Sequence, residues 1–158
     1  MLQLSARALK LAGLLKRVDN FDLSTFRGRL VFQKTVYFLQ SFGIYLGYGY
    51  SWYLYGPYSP GLTRDGFDFA ERFDALPSLE FRNEESRATF KTFLEFMEPI
   101  KNDPVKLELL ASLHFLGNVH EDWPAERIRK MIREKQPYFN DELIIQADRQ
   151  LRKWPLGS

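Results

Sequence analysis

The sequence predicts a mainly helical α+β fold, with about seven helices and one small two-stranded antiparallel ribbon, partly winged-helix-like. Three observations predict it. Apolar residues recur at spacings of three and four along most of the 158 residues, as in helices that bury one face. Ser, Asp and Asn residues stand just ahead of several of these stretches, where a side-chain oxygen can cap free backbone N–H groups. One segment, "SWYLY", alternates and is aromatic-rich instead, as a strand is.

Leu4, Ala8, Leu11, Leu15 and Val18 form the apolar stripe of a first helix, with Lys10, Lys16 and Arg17 off that face. After the break at "DNFDLS", Ser24 is expected to cap a second helix from Thr25 to about Phe42, stopped by Gly43. Leu30, Val31, Tyr37, Phe38 and Phe42 make its broad apolar side. A strand follows over Ser51–Tyr55, and alternation places Trp52 and Leu54 on its inner face, Tyr53 and Tyr55 on its outer one. Pro57 and Pro60 bracket a rigid turn, because each fixes its own φ and biases the preceding residue away from helix. Gly56 supplies the conformation that a Cβ would disfavour there.

Ser59 caps a third helix, with Pro60 at its first position and Phe73 inside it. Leu79–Arg82 reads as a second strand, paired with the first. Asn83 opens a fourth helix, Asp103-Pro104 a fifth that ends near Gly117, Pro124 a sixth, and Asn140 a seventh that runs to about Lys153. The whole, 1–158, is expected to be one domain, with 154–158 as a flexible tail.

Composition narrows the function classes. Hydrophobic content of 45% and aromatic content of 16% offer enough apolar area to offset chain entropy. Absence of Cys excludes a disulfide framework and a thiolate zinc site, and no stretch approaches the roughly 18 apolar residues of a membrane span. A cytoplasmic protein is expected. Charge is segregated: residues 1–58 carry +5, 59–103 carry −4, 104–122 carry −2 and 123–158 carry +3. Such a division suits an anionic partner on one face and a cationic one on another.

Catalytic chemistry is hard to find. His114 lies in "SLHFLG" on an apolar helix, where a structural role is expected. His120 neighbours Glu121 and Asp122, but adjacent residues point in different directions and have no distant partner ligand. "GIYLGYGY" lacks the spacing and following helix of a phosphate loop, and Ser59 lacks a nucleophile elbow. No catalytic residue, metal or other cofactor is expected.

The helix ending "QKTVYFLQ", the aromatic strand and "YGPYSPGLTRD" together resemble the SocA-like Panacea domain and the related YwgA-like proteins. "LELLASLHFLG" and "KQPYFND" are similar to the YwgA-like group, and the likeness spans residues 5–152. The resemblance implies a binding domain of antitoxin or protease-adaptor type. By position it implies that Lys34, Tyr37 and Phe38 on the helix, with Tyr55, Gly56, Pro57, Ser59 and Pro60 in the turn, are the signature residues.

Seven of the eight tyrosines fall between Tyr37 and Tyr58, and Gly43 through Ser59 contain no Lys, Arg, Asp or Glu. A nucleic-acid platform needs cations among its aromatics, because phosphate contacts supply most non-specific affinity. Tyrosine without charge suits a protein interface, giving large contact area and a polar tip at low entropy loss. The expected function is therefore a non-enzymatic protein-interaction module, its partner surface formed by Tyr53, Tyr55 and Tyr58 with Lys34 and Tyr37 beside them. The alternative is a nucleic-acid-binding regulator with a winged-helix-like core, using Arg127, Lys130 and Arg133 together with the N-terminal helix.

Overall fold

The structure, a computed structural model, describes residues 3–157. Among these residues the chain forms seven α-helices and one two-stranded antiparallel sheet. Helix α1 spans Ala6–Val18 and α2 spans Phe26–Ser41; β1 (Ser51–Tyr53) and β2 (Gly56–Tyr58) follow. Then come α3 (Pro60–Ala70), a 3₁₀ turn (Phe73–Ala75), α4 (Glu84–Met97), α5 (Pro104–Val119), α6 (Ala125–Lys135) and α7 (Asp141–Leu151).

Caps set most of the helix starts. Ser59, Asn83, Asp103 and Asn140 each accept an N–H three residues ahead, from Leu62, Ser86, Lys106 and Leu143. For α2 the cap is Thr25, which accepts from Gly28 N–H at 2.9 Å. The expected cap, Ser24, donates its hydroxyl to Asp22 instead, at 2.6 Å. Helix α3 stops at Ala70, so Phe73 belongs to the 3₁₀ turn and not to the helix.

The ribbon forms between different strands from those expected. Strand β1 pairs with β2 in the register Ser51 opposite Tyr58, Trp52 opposite Pro57 and Tyr53 opposite Gly56. Leu54 and Tyr55 are therefore the two-residue turn of a tight hairpin. Leu54 is 59% exposed in that turn, not on an inner face. Leu79–Arg82 forms no strand. Leu79 donates its N–H to the Gly13 carbonyl of α1 at 3.1 Å, an approach that Gly13 permits because a Cβ there would lie 2.9 Å from Leu79 N. Both strands thus precede α3, and the strand–helix–strand order of a winged arrangement is not formed.

Helix α2 is the centre of the packing. Every residue from Leu30 to Leu39 is buried, and α4, α5 and β2 pack on it. One apolar cluster runs from Ala8 in α1 to Leu151 in α7. The C-terminal segment expected to be a flexible tail is tied to this body through residue 157. Trp154 packs its ring edge-on against Phe96 at 5.4 Å, and Gly157 N–H donates to the Ser41 carbonyl at 2.7 Å. No helix among the described residues is long and apolar enough to cross a membrane.

Gly56 is the tightest point of the hairpin. Its φ is +93°, and a Cβ would sit 2.5 Å from Ser112 Oγ on α5. Gly56→Ala is expected to lower stability by on the order of 2–4 kcal/mol, combining backbone strain with overpacking. Adding Ser112→Ala removes the clash and leaves the strain, so the double variant should recover part of the loss in a urea titration. Equal midpoints for wild type and Gly56→Ala contradict this account.

Candidate functional site

Three polar side chains of the buried helix α2, Gln33, Lys34 and Gln40, reach backbone of the aromatic segment. Gln40 Oε1 accepts from Leu46 N–H (3.1 Å) and Tyr48 N–H (2.9 Å), and its Nε2 donates to the Tyr48 carbonyl (3.0 Å). Two turns earlier, Gln33 does the same for Ser59: Oε1 accepts its N–H and Nε2 donates to its carbonyl, both at 2.9 Å. Lys34 Nζ donates to the Pro57 carbonyl at 2.7 Å. Buried backbone groups must be paired, and here α2 side chains replace the missing sheet neighbours.

These contacts revise two expected surface residues. Lys34 is only 2% exposed and Tyr37 7%, so neither stands on an open partner surface. Tyr37 is hydrogen-bonded through its hydroxyl to His114 Nδ1 at 2.6 Å and packs edge-on against Tyr50 at 5.2 Å. His114 is half-buried, as expected of a structural histidine, and burial lowers its pKa. Burial likewise pushes the Lys34 amine down to about 7, opposed by the charge of Glu108. Burial raises Glu108 in turn, while the Tyr138 hydroxyl bond and Lys34 hold it back. Both groups are driven toward their neutral forms.

Above this floor lies a groove of about 360 Å³ between the start of α2, the hairpin turn and α3. Leu30 and Phe32 line it below, with Arg29, Gln33, Lys34 and Thr63 among its polar points. Its upper walls are exposed rings: Phe26 is 55% exposed and Tyr53 56%, with Tyr55 and Phe67 also open to solvent. The rings brace one another. Phe26 meets Tyr55 edge-to-face at 5.0 Å, and Tyr53 lies against Tyr58 at 5.3 Å. Tyr58 is fixed further by Thr63, which donates to its hydroxyl at 3.0 Å. Arg29 and Lys34 are the cations in the lining, and no carboxylate is among the lining residues.

The structure therefore brings Tyr53, Tyr55 and Tyr58 together and places Lys34 beneath them, with Tyr37 in the core. Gly56 is buried in the lining of the groove, Pro57 and Ser59 are buried outside that lining, and Pro60 starts α3. Leu54, expected on an inner face, belongs to the same surface, as do Phe26 and Phe67, which the sequence reading does not single out. Their signal was there: Phe26 follows a helix cap and Phe67 sits off the Leu62–Phe69 stripe, so each is an aromatic that its helix does not bury. The alternative basic set is distributed differently. Arg127 stacks on the Trp123 ring at 4.0 Å, Arg133 is paired with both Asp141 and Glu126, and Lys130 is exposed.

The lowered Lys34 pKa has a consequence for stability. Between about 7 and the ordinary 10.5 the unfolded chain holds a proton that the folded chain has released. Stability from this group therefore rises with pH across that window and is flat below it. Tyr37, Tyr48 and Tyr50 have raised pKa values from burial, so they oppose the rise only above their ordinary value of 10.0. From pH 7 to 10, wild type is expected to gain stability relative to Lys34→Met in parallel urea titrations. Curves that run parallel over that range would rule out a neutral buried amine.

No family model, curated protein or solved structure matches the chain.

Proposed function

We propose that this chain is a non-enzymatic protein-interaction module, antitoxin-like or adaptor-like, that recognises its partner through the aromatic groove at the hairpin. The observation that carries this reading is a groove of about 360 Å³ with solvent-exposed aromatic walls and no carboxylate in its lining. Its occupant is a short apolar segment of another protein that inserts a leucine or aromatic side chain between Phe26 and Tyr53. Interface anchors are typically aromatic residues and pockets of this kind, surrounded by contacts that exclude water. The neutral stretch from Gly43 to Ser59 favours protein over nucleic acid, which draws most of its non-specific affinity from phosphate neutralisation. The resemblance of "QKTVYFLQ" and "YGPYSP" to SocA-like Panacea domains supports the antitoxin or adaptor role, and the cytoplasm is the compartment this reading assigns.

Two measurements test it. Phe26→Ala with Tyr53→Ala is expected to change folding stability by about 1 kcal/mol or less, since both rings are half in water. A photo-crosslinking residue at Leu54, in the native host, is expected to form a discrete protein adduct that the same residue at exposed Lys91 of α4 does not. The double alanine variant should abolish that adduct. Crosslinking to nucleic acid, or an adduct indifferent to the double variant, overturns the assignment.

A further inference from the structure

A second cavity, of about 540 Å³, opens between α6 and α7 over α5, and it shares no residue with the aromatic groove. Leu113, Ile128 and Ile144 line it, so its floor is apolar. Its rim is cationic on both walls: Arg129 on α6 faces Arg149 and Arg152 at the end of α7, with Asp148 as the one carboxylate in the lining. The guanidiniums keep donors in reserve. Arg129 uses one terminal nitrogen on Glu126 (2.8 Å), Arg152 uses Nε on Asp148 (2.9 Å), and Arg149 has no ion pair among the described residues. Ile145, which is exposed, adds apolar surface at the rim.

We propose that this cleft binds an acidic amphipathic helix of a partner protein, its leucine face on the floor and its glutamates against the arginines. An apolar stripe laid between two helices is the usual helix-in-groove geometry. Guanidiniums pair carboxylates through two parallel N–H donors, and arginines on both walls match acids on both flanks of such a stripe. A nucleic-acid strand fits less well. Its bases need a free aromatic face, and Trp123 at the cleft already has His120 stacked at 3.5 Å and Arg127 over its ring at 4.0 Å. The apolar floor also has nothing to offer phosphates. This inference does not depend on the groove at the hairpin, and the two sites would make the chain bivalent.

The test uses the full chain and a fluorescently labelled synthetic peptide with leucines on one helical face and glutamates on both flanks, read by anisotropy. Binding is expected to weaken as salt is raised. Arg149→Glu with Arg152→Glu should weaken it by about tenfold or more, with melting lowered only slightly by the loss of the exposed Arg152–Asp148 pair. A peptide of equal charge with serine for leucine should also bind about tenfold more weakly. Tyr53→Ala should leave binding as it is. No binding, equal binding by the serine peptide, insensitivity to the arginine reversals, loss in Tyr53→Ala, or equal competition by a single-stranded oligonucleotide would each overturn the proposal.

Discussion

The rest of the molecule depends on backbone hydrogen bonds that the aromatic segment cannot make for itself. Residues 44–50 run alternately inward and outward as a strand would, yet they join no sheet. The hairpin that follows has only two strands, so the outer edge of β2 and the chain beyond it also need partners. Leaving such groups unpaired inside a protein costs about 1–3 kcal/mol each. Helix α2 resolves this with Gln40, Gln33 and Lys34, which together bond backbone groups of Leu46, Tyr48, Pro57 and Ser59. A carboxamide presents one acceptor and two donors, and can therefore imitate a neighbouring strand.

That arrangement decides which way the tyrosines face. With the backbone held on α2, Tyr48 points inward, where its hydroxyl donates to Asp65 at 2.6 Å. Arg7 holds the other side, with its guanidinium over the Tyr48 ring at 4.2 Å and its Nε on the same Asp65 oxygen at 3.1 Å. Tyr37 and Tyr50 pack together in the interior, the latter donating to the Gln33 carbonyl at 3.3 Å. The hairpin then projects Tyr53, Leu54 and Tyr55 past the helix, where they remain exposed to solvent. One run of aromatics thus serves both as core and as surface, divided by its attachment to α2.

Charge is divided in a corresponding way. The groove at the hairpin is nearly free of charge, and its one deeply buried cation is driven toward neutrality by desolvation. At the cleft between α6 and α7 the cations remain in water, pairing loosely with nearby acids and retaining donors. In general, an uncharged apolar surface discriminates through shape and apolar area, and a cationic one through electrostatic complementarity as well. Both open on the same core, because α5 packs against the hairpin through β2 and carries α6 and α7 on its other contacts.

Local signals were legible in the sequence. A helix cap acts over three residues and an apolar stripe repeats within one helix, so Ser59, Asn83, Asp103 and Asn140 marked their helices without knowledge of the fold. Gly56 marked a special backbone conformation, but the rigid turn expected between Pro57 and Pro60 is strand β2 and the start of α3, and the chain reverses at Leu54–Tyr55 instead, because the ladder pairs Tyr53 with Gly56. Tyr53, Tyr55 and Tyr58 could be placed at one site for the same reason, being close in sequence and near a turn. Lys34 and Tyr37 could not be judged so. A lysine reads as surface by type, and only the meeting of α2 with β2 supplies the Pro57 carbonyl that lets its amine be buried. Strand pairing was likewise decided at a distance: Leu79–Arg82 has strand-like residues, but its Leu79 N–H bonds the Gly13 carbonyl of α1, and β1 pairs with β2. The sequence by itself determined the helices and most of their caps, since these energies act within a few residues. Tertiary structure alone decided which strands pair, which polar groups are buried and where the grooves open, since those energies belong to contacts between residues far apart in the chain.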